Sequence, residues 1–162
     1  MKKIFSFLVV VLVLFLVVGC STDIKRYIFS AQGVDITLRV DESLVAYPEA
    51  KEDGSQIAFF DAETNNFKGI ITVTSVEGEK TLGELGKDYF YKWEELKKTA
   101  ISEKLVFAED EGDGRAPYYY FVIYDRAVGA VVTGRFDASE NERNDVMLLA
   151  SSIYLGKISQ IS

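Results

Sequence analysis

The chain has 162 residues, with 25 acidic and 18 basic side chains and a formal net charge of −7. The excess of acid argues against a nucleic-acid partner, since nucleic acids are bound by basic surfaces. Histidine is missing from the sequence, which removes the commonest general base and metal ligand, and a single cysteine cannot form a disulfide framework.

The first nineteen residues have the composition of a secretory signal peptide. Lys2 and Lys3 precede an apolar run from Ile4 to Gly19, as in the basic and apolar regions of such peptides. The run ends in VVGC, which resembles the bacterial lipobox. This resemblance implies cleavage between Gly19 and Cys20 and attachment of a diacylglyceryl lipid to the Cys20 sulfur. The alternative is an uncleaved membrane helix, although the run is slightly shorter than the roughly 20 apolar residues that span a bilayer.

The predicted organisation has three parts: a signal peptide at residues 1–19, a lipidated cysteine with a short tether at residues 20–26, and one domain at residues 27–162. Cleavage removes Lys2 and Lys3, which leaves 16 basic side chains against 25 acidic ones and a net charge of −9. This charge repels anionic headgroups. We therefore expect the lipid on Cys20 to hold the protein at a membrane, with the domain on the extracytoplasmic side of a bacterial cell envelope.

Four strands are predicted in the first part of the domain. VDITLRV (34–40) alternates apolar and polar residues, as a half-buried strand does. LVAYP (44–48) and QIAFFDA (56–62) have the composition of strands, and the turn-forming EDGS separates them. FKGIITVTSV (67–76) is rich in β-branched residues, which favour strands.

A long amphipathic helix is predicted over about residues 81–101. Thr81 and Glu84 have the spacing of a capping box. The apolar residues that follow recur every three or four positions and form one helical stripe: Leu82, Leu85, Tyr89, Trp93, Leu96 and Ala100. We interpret the aromatic members of this stripe as core packing rather than as a ligand platform.

The second half of the domain predicts three strands and a closing helix. KLVFAED is strand-like, and PYYYFVIY (117–124) is apolar on both faces, which predicts a central strand covered on both sides. AVGAVVTGRF (127–136) is predicted to form a hairpin with the strand at 117–124. Ser139 and Glu142 repeat the capping-box spacing, and an apolar stripe follows at Val146, Leu149, Ala150 and Ile153. The predicted fold class is α+β, with a single antiparallel sheet of about six to seven strands between two main helices.

The order of these elements resembles the PsbP-like, or Mog-type, family. The similarity rests on VDITLRVDESLVAYP, TLGEL, YYYFVIYDRAVGAVVTGRFDAS and LLASSIYL, and it extends over Ile28–Leu155. It implies an antiparallel sheet between helices and a non-enzymatic role in binding or assembly. Members of the family that bind metal tend to use histidine, which this chain lacks.

The segment EDEGDG (109–114) is the one candidate cation site. Glu109, Glu111 and Asp113 fall at the first, third and fifth positions of an EF-hand loop. The twelfth position, which requires a bidentate Glu, is Tyr120 in a predicted strand. We therefore interpret the segment as an acidic hairpin turn, with a weak cation site at Glu109, Glu111 and Asp113 as the alternative.

The sequence shows no recognisable catalytic arrangement, so we expect neither enzyme activity nor a cofactor. We expect a membrane-anchored lipoprotein that acts as a non-catalytic binding or assembly module for another envelope protein. The alternative is a lipoprotein that binds a small ligand or a cation. A large exposed aromatic patch would favour the first interpretation, and a closed pocket with convergent polar groups would favour the second.

Overall fold

The computed structural model describes residues 24–48, 55–112 and 117–157, and these ranges form two antiparallel sheets and two helices. In chain order the elements are β1 (Ile24–Ala31), β2 (Val34–Asp41), β3 (Leu44–Tyr47), β4 (Gln56–Asp61), β5 (Phe67–Ser75), α1 (Leu82–Tyr89), β6 (Lys97–Ala100), β7 (Leu105–Glu109), β8 (Tyr118–Asp125), β9 (Ala130–Asp137), α2 (Arg143–Ser152) and β10 (Tyr154–Lys157). The small sheet has the order β1-β2-β10, and the large sheet has the order β3-β4-β5-β9-β8-β7-β6.

The predicted fold class is wrong. The described residues contain ten strands in two sheets, not one sheet of six to seven strands, and their helices have only 8 and 10 residues. The physical reason is that the small sheet takes the place expected of a helix: together with α2 it covers one face of the large sheet. The arrangement implied by the PsbP-like resemblance, a sheet between two main helices, is wrong for the same reason. Strand β1 begins at Ile24, so it includes the last residues of the predicted tether.

One hydrophobic core joins the two sheets. Alternate residues of β2 are buried, as the alternating sequence predicted. They pack against the inner face of the large sheet, which contributes fully buried phenylalanines at Phe59, Phe107 and Phe121. The apolar stripe of α2 completes this core with Val146, Leu149 and Ala150.

The other face of the large sheet, which we call the outer face, is covered only in part. Leu85 of α1 and the nearby Trp93 pack against Val122, Tyr124 and Val131. The strand predicted at 117–124 is confirmed as β8, which lies between β9 and β7 inside the large sheet. Its predicted hairpin with β9 is also confirmed.

The long helix predicted over residues 81–101 is wrong beyond Tyr89. Its capping box is confirmed, because the Glu84 amide donates to Thr81 Oγ1 at 3.2 Å and the Thr81 amide donates to Glu84 Oε2 at 2.7 Å. The helix ends where Phe90 adopts an extended conformation and Lys92 a positive φ of 68°. The chain then folds back, so that the buried Trp93 ring packs directly on Gly86, where an added Cβ would lie 2.0 Å from the ring.

The second predicted capping box is also wrong. Helix α2 has Glu142 as its N-cap residue, and the Glu142 side chain makes no capping hydrogen bond. Ser139 is held elsewhere, since its amide and hydroxyl donate to Asp137 Oδ1 at 2.9 and 2.6 Å. Within the described ranges, no helix has the length and apolar character needed to cross a membrane. The predicted signal peptide, with Gly19 and Cys20, lies outside those ranges.

Candidate binding groove

A groove of about 790 Å³ opens on the outer face of the large sheet, beyond the part that α1 covers. Strands β5, β8 and β9 form its floor, where Tyr118, Tyr120 and Arg135 point outward. Residues 89–92, at the end of α1 and in the turn after it, form one wall. We call this site the tyrosine groove.

The wall consists of three consecutive aromatic residues. Phe90 packs on Tyr120 with a ring-centroid distance of 4.9 Å, and this contact joins the wall to the floor. Tyr89 and Tyr91 flank Phe90 and point away from the core, and Tyr91 is 93% exposed. The reversal of the chain at Lys92 therefore displays two phenol rings at the rim of the groove.

The floor holds an arginine that packs on a tyrosine ring. The Arg135 guanidinium lies 3.9 Å from the centre of the Tyr118 ring, which is the geometry of a cation–π contact. Arg135 is also the register partner of Tyr120 on the neighbouring strand. Asp110 lines the same groove, but no carboxylate of the described residues forms an ion pair with Arg135. Its guanidinium group can therefore bind an acidic group that enters the groove.

Burial raises the pKa of Tyr120 above its ordinary value. The Arg135 guanidinium opposes this shift, and the Asp110 carboxylate adds to it. The Tyr120 phenol, which is protonated at neutral pH even at its ordinary pKa, can donate a hydrogen bond within the groove.

The chemistry of the groove suits recognition. Tyrosine and arginine are the residues that dominate the binding energy of protein interfaces, because they combine a large apolar area with hydrogen-bonding groups. The hydroxyl groups of the groove have no histidine available as a general base, since the chain contains none. The groove therefore offers stacking surfaces, hydrogen-bond donors and a cation.

Two of the three acidic residues of the candidate cation site are paired with basic side chains in the structure. Glu109 forms an ion pair with Arg143, and Glu111 Oε1 lies 3.6 Å from Lys97 Nζ. Asp113 lies outside the described residues. In the described part of the chain, no group of three or more His, Cys, Asp or Glu residues is placed to hold a metal ion. The weak cation site stays a prediction, and the two ion pairs count against it.

Sequence reasoning missed the tyrosine groove because it placed Tyr89 on a buried helical stripe and expected both faces of β8 to be covered. A usable signal was present in the sequence. Three consecutive aromatic residues, Tyr89-Phe90-Tyr91, cannot all face the core from one helix, because neighbouring helical residues point about 100° apart.

No protein-family model matches the chain, and a search of curated proteins finds no significant match. The PsbP-like resemblance and the lipobox resemblance therefore stay predictions from the sequence.

Proposed function

We propose that this protein is a lipid-anchored binding module of a bacterial cell envelope, which binds a partner protein through the tyrosine groove and has no catalytic activity. The lipobox-like sequence that ends at Cys20 supports the anchor. The observation that carries the binding role is a groove that has the exposed Tyr91 ring at its rim and, on its floor, an arginine packed on Tyr118.

The shape of the groove favours a protein over a small ligand. Small-molecule sites enclose most of the ligand surface, whereas Tyr91 stands almost fully in solvent at the rim. An aromatic ring in this position becomes buried when a broad surface covers it, as happens at the centre of protein interfaces. We expect the partner to place apolar side chains on Tyr91 and a carboxylate against Arg135. The cation-binding alternative has less support, because Glu109 and Glu111 are each paired with a basic side chain.

Site-specific crosslinking in living cells tests the binding role. A photoreactive phenylalanine analogue replaces Tyr91 in the full chain, and the matched control carries it at Tyr47, which is an exposed tyrosine of the edge strand β3. We expect a protein adduct from position 91 that is missing from position 47 and is lost with Arg135→Ala. Equal adducts from both positions, or an adduct that Arg135→Ala leaves unchanged, would contradict the proposal. An adduct with the mass of a small molecule would favour the small-ligand alternative instead.

The anchor has an independent test. Cys20→Ser should block lipid attachment, which fractionation and mass spectrometry of the purified chain would show as loss of the lipid mass and release from the membrane. A variant that stays in the membrane with the mature mass unchanged would identify the first segment as an uncleaved membrane helix.

A further inference from the structure

The small sheet has an outward face with exposed apolar side chains. Tyr27 and Phe29 of β1 pack on the core, so the alternate residues of this strand point away from it. Ile24 and Ile28 are 60% and 62% exposed, and Tyr154 of β10 is 68% exposed. We call this surface the small-sheet face.

Register places these side chains in ordered rows across the sheet. Ile28, Thr37 and Tyr154 are direct partners on β1, β2 and β10, so Ile28 and Tyr154 stand on either side of Thr37. In the next row, Arg26 lies directly opposite Arg39. The small-sheet face therefore combines apolar side chains with two adjacent guanidinium groups.

Within residues 24–48, 55–112 and 117–157, neither arginine has an acidic partner. Like charges placed directly opposite each other destabilise a sheet, and no carboxylate of the described residues forms an ion pair with Arg26 or Arg39. The same face also carries two carboxylates, and each of them accepts a local hydrogen bond rather than pairing with an arginine: Asp35 Oδ1 accepts from Ser30 Oγ at 2.6 Å, and Asp41 Oδ1 accepts from the Ser43 amide at 2.9 Å. An anion from outside the chain would relieve the repulsion.

The path of the chain indicates where such anions would come from. Cys20 precedes Ile24, the first residue of β1, by four residues, and four residues span at most about 14 Å at roughly 3.5 Å each. A lipid on Cys20 would thus hold the small sheet beside the headgroups of the membrane. The tyrosine groove lies on the opposite side of the layered structure, because the small sheet packs on the inner face of the large sheet and the groove opens on its outer face.

We propose that the small-sheet face rests on the phospholipid bilayer, with Ile24, Ile28 and Tyr154 among the headgroups and with Arg26 and Arg39 bound to lipid phosphates. This orientation rests on the proposed lipid anchor at Cys20, and it turns the tyrosine groove away from the membrane. Tyrosine rings prefer the membrane interface, and the planar guanidinium fork matches phosphate oxygens. The net negative charge of the domain opposes this contact weakly, because charges farther than about 8 Å are screened at physiological salt.

Depth-dependent quenching on the full lipidated chain tests the orientation. An environment-sensitive fluorophore is attached to a single introduced cysteine, at Ile28→Cys or Tyr154→Cys. The exposed control positions are Phe67→Cys on the large sheet and Tyr91→Cys on the wall of the tyrosine groove. The thiol of Cys20 does not react with the fluorophore once it carries the lipid. The labelled chains are reconstituted into vesicles of phosphatidylglycerol and phosphatidylcholine that contain a lipid quencher at headgroup depth.

We expect quenching at positions 28 and 154 to exceed that at positions 91 and 67 several-fold. The pair Arg26→Gln and Arg39→Gln should reduce the quenching at position 154, whereas Arg126→Gln, a change at an exposed arginine paired with Glu79, should not. Thermal unfolding of each variant verifies that its fold is retained.

Three results would overturn this orientation, and they are distinguishable. A mass without lipid on Cys20, measured before reconstitution, overturns the anchor and the orientation together. A lipidated chain with equal quenching at positions 28 and 91 overturns the orientation alone. Efficient crosslinking between Ile28→Cys chains at low protein density shows that a second copy, rather than lipid, covers the small-sheet face.

Discussion

Alanine substitution at two glycines of the same short helix should have opposite effects on stability. Alanine is more favourable than glycine inside a helix by about 0.5–1 kcal/mol. At Gly83, in the first turn of the helix, the atom closest to an added Cβ is Thr81 Oγ1 at 4.0 Å, so Gly83→Ala should raise the free energy of unfolding by up to about that amount.

At Gly86 the added Cβ would lie 2.0 Å from Trp93 Cε2 and 2.2 Å from Trp93 Nε1, whereas ordinary contacts begin near 3.4 Å. The Trp93 ring must move by more than 1 Å, and it is buried against Leu85 and β8. Overpacking of this kind costs about 1–3 kcal/mol. After the helical gain of about 0.5–1 kcal/mol is subtracted, Gly86→Ala should lower the free energy of unfolding by about 1 kcal/mol, and by at most about 2.5 kcal/mol.

Urea and thermal unfolding of the detergent-solubilised full chain would measure both changes. For a domain of this size, 1 kcal/mol corresponds to roughly 3–4 °C in melting temperature. Trp93→Phe should recover part of the loss in the Gly86→Ala background, because the smaller ring leaves room for the new methyl group. Equal stabilisation by Gly83→Ala and Gly86→Ala would refute the reasoning, since it would mean that the helix continues past Tyr89 and that no ring packs on Gly86.

Three further predictions concern acid stability, core packing and calcium. Hydrogen bonds from the Thr64 amide and hydroxyl lower the pKa of Asp61 to about 2. The ionised carboxylate therefore stabilises the fold above its unfolded pKa of about 4, and this contribution disappears as the pH falls toward 2. Between about pH 4 and about pH 2, the melting temperature of Asp61→Asn should consequently fall less steeply than that of the unsubstituted chain. In urea unfolding, Phe121→Ala should lower the free energy of unfolding by about 3–5 kcal/mol. Tyr120→Ala should lower it clearly less, because Tyr120 is only half-buried. Equal losses would contradict the assignment of Phe121 to the inner face of β8 and of Tyr120 to its outer face. Millimolar calcium should leave the melting temperature nearly unchanged, because Glu109 is already ion-paired. Calcium at about 100 times a true dissociation constant would instead stabilise the fold by about 2.7 kcal/mol. A stabilisation of that size would favour the cation-site interpretation.

Strands were predictable from local patterns, whereas the small sheet was not. The alternation in VDITLRV and the β-branched run in FKGIITVTSV are properties of consecutive residues, and both segments form strands close to the predicted bounds. The exposed face of strand β1 carries the apolar residues Ile24 and Ile28, so its sequence lacks the apolar–polar alternation that marks a half-buried strand. The start of β1 was therefore assigned to a tether. Its pairing with β2 across a two-residue turn, with Gln32 and Gly33 at positive φ, follows from backbone geometry that residue polarity does not reveal.

The tyrosine groove and the failure of the helix prediction have the same cause. A continuous helix over residues 81–101 would be about 31 Å long at 1.5 Å per residue. In its later turns, the apolar residues that follow Tyr89 would have extended the same helical stripe. Helix α1 has 8 residues, or about 12 Å, because Trp93 folds back onto Gly86 and takes the place of the next turn. The chain thereby leaves β5 and β9 uncovered at Thr72 and Arg135, and it turns Tyr91 into solvent at the edge of the opening. Departures from local sequence preference are expected where a protein gives up regularity for function, so the break between Tyr89 and Trp93 supports the proposed binding role of the groove. Gly86→Ala accordingly links the two properties: by displacing Trp93 and the Phe90 that packs on it, it should reduce crosslinking from position 91 as well as stability, whereas Gly83→Ala should leave the crosslink intact.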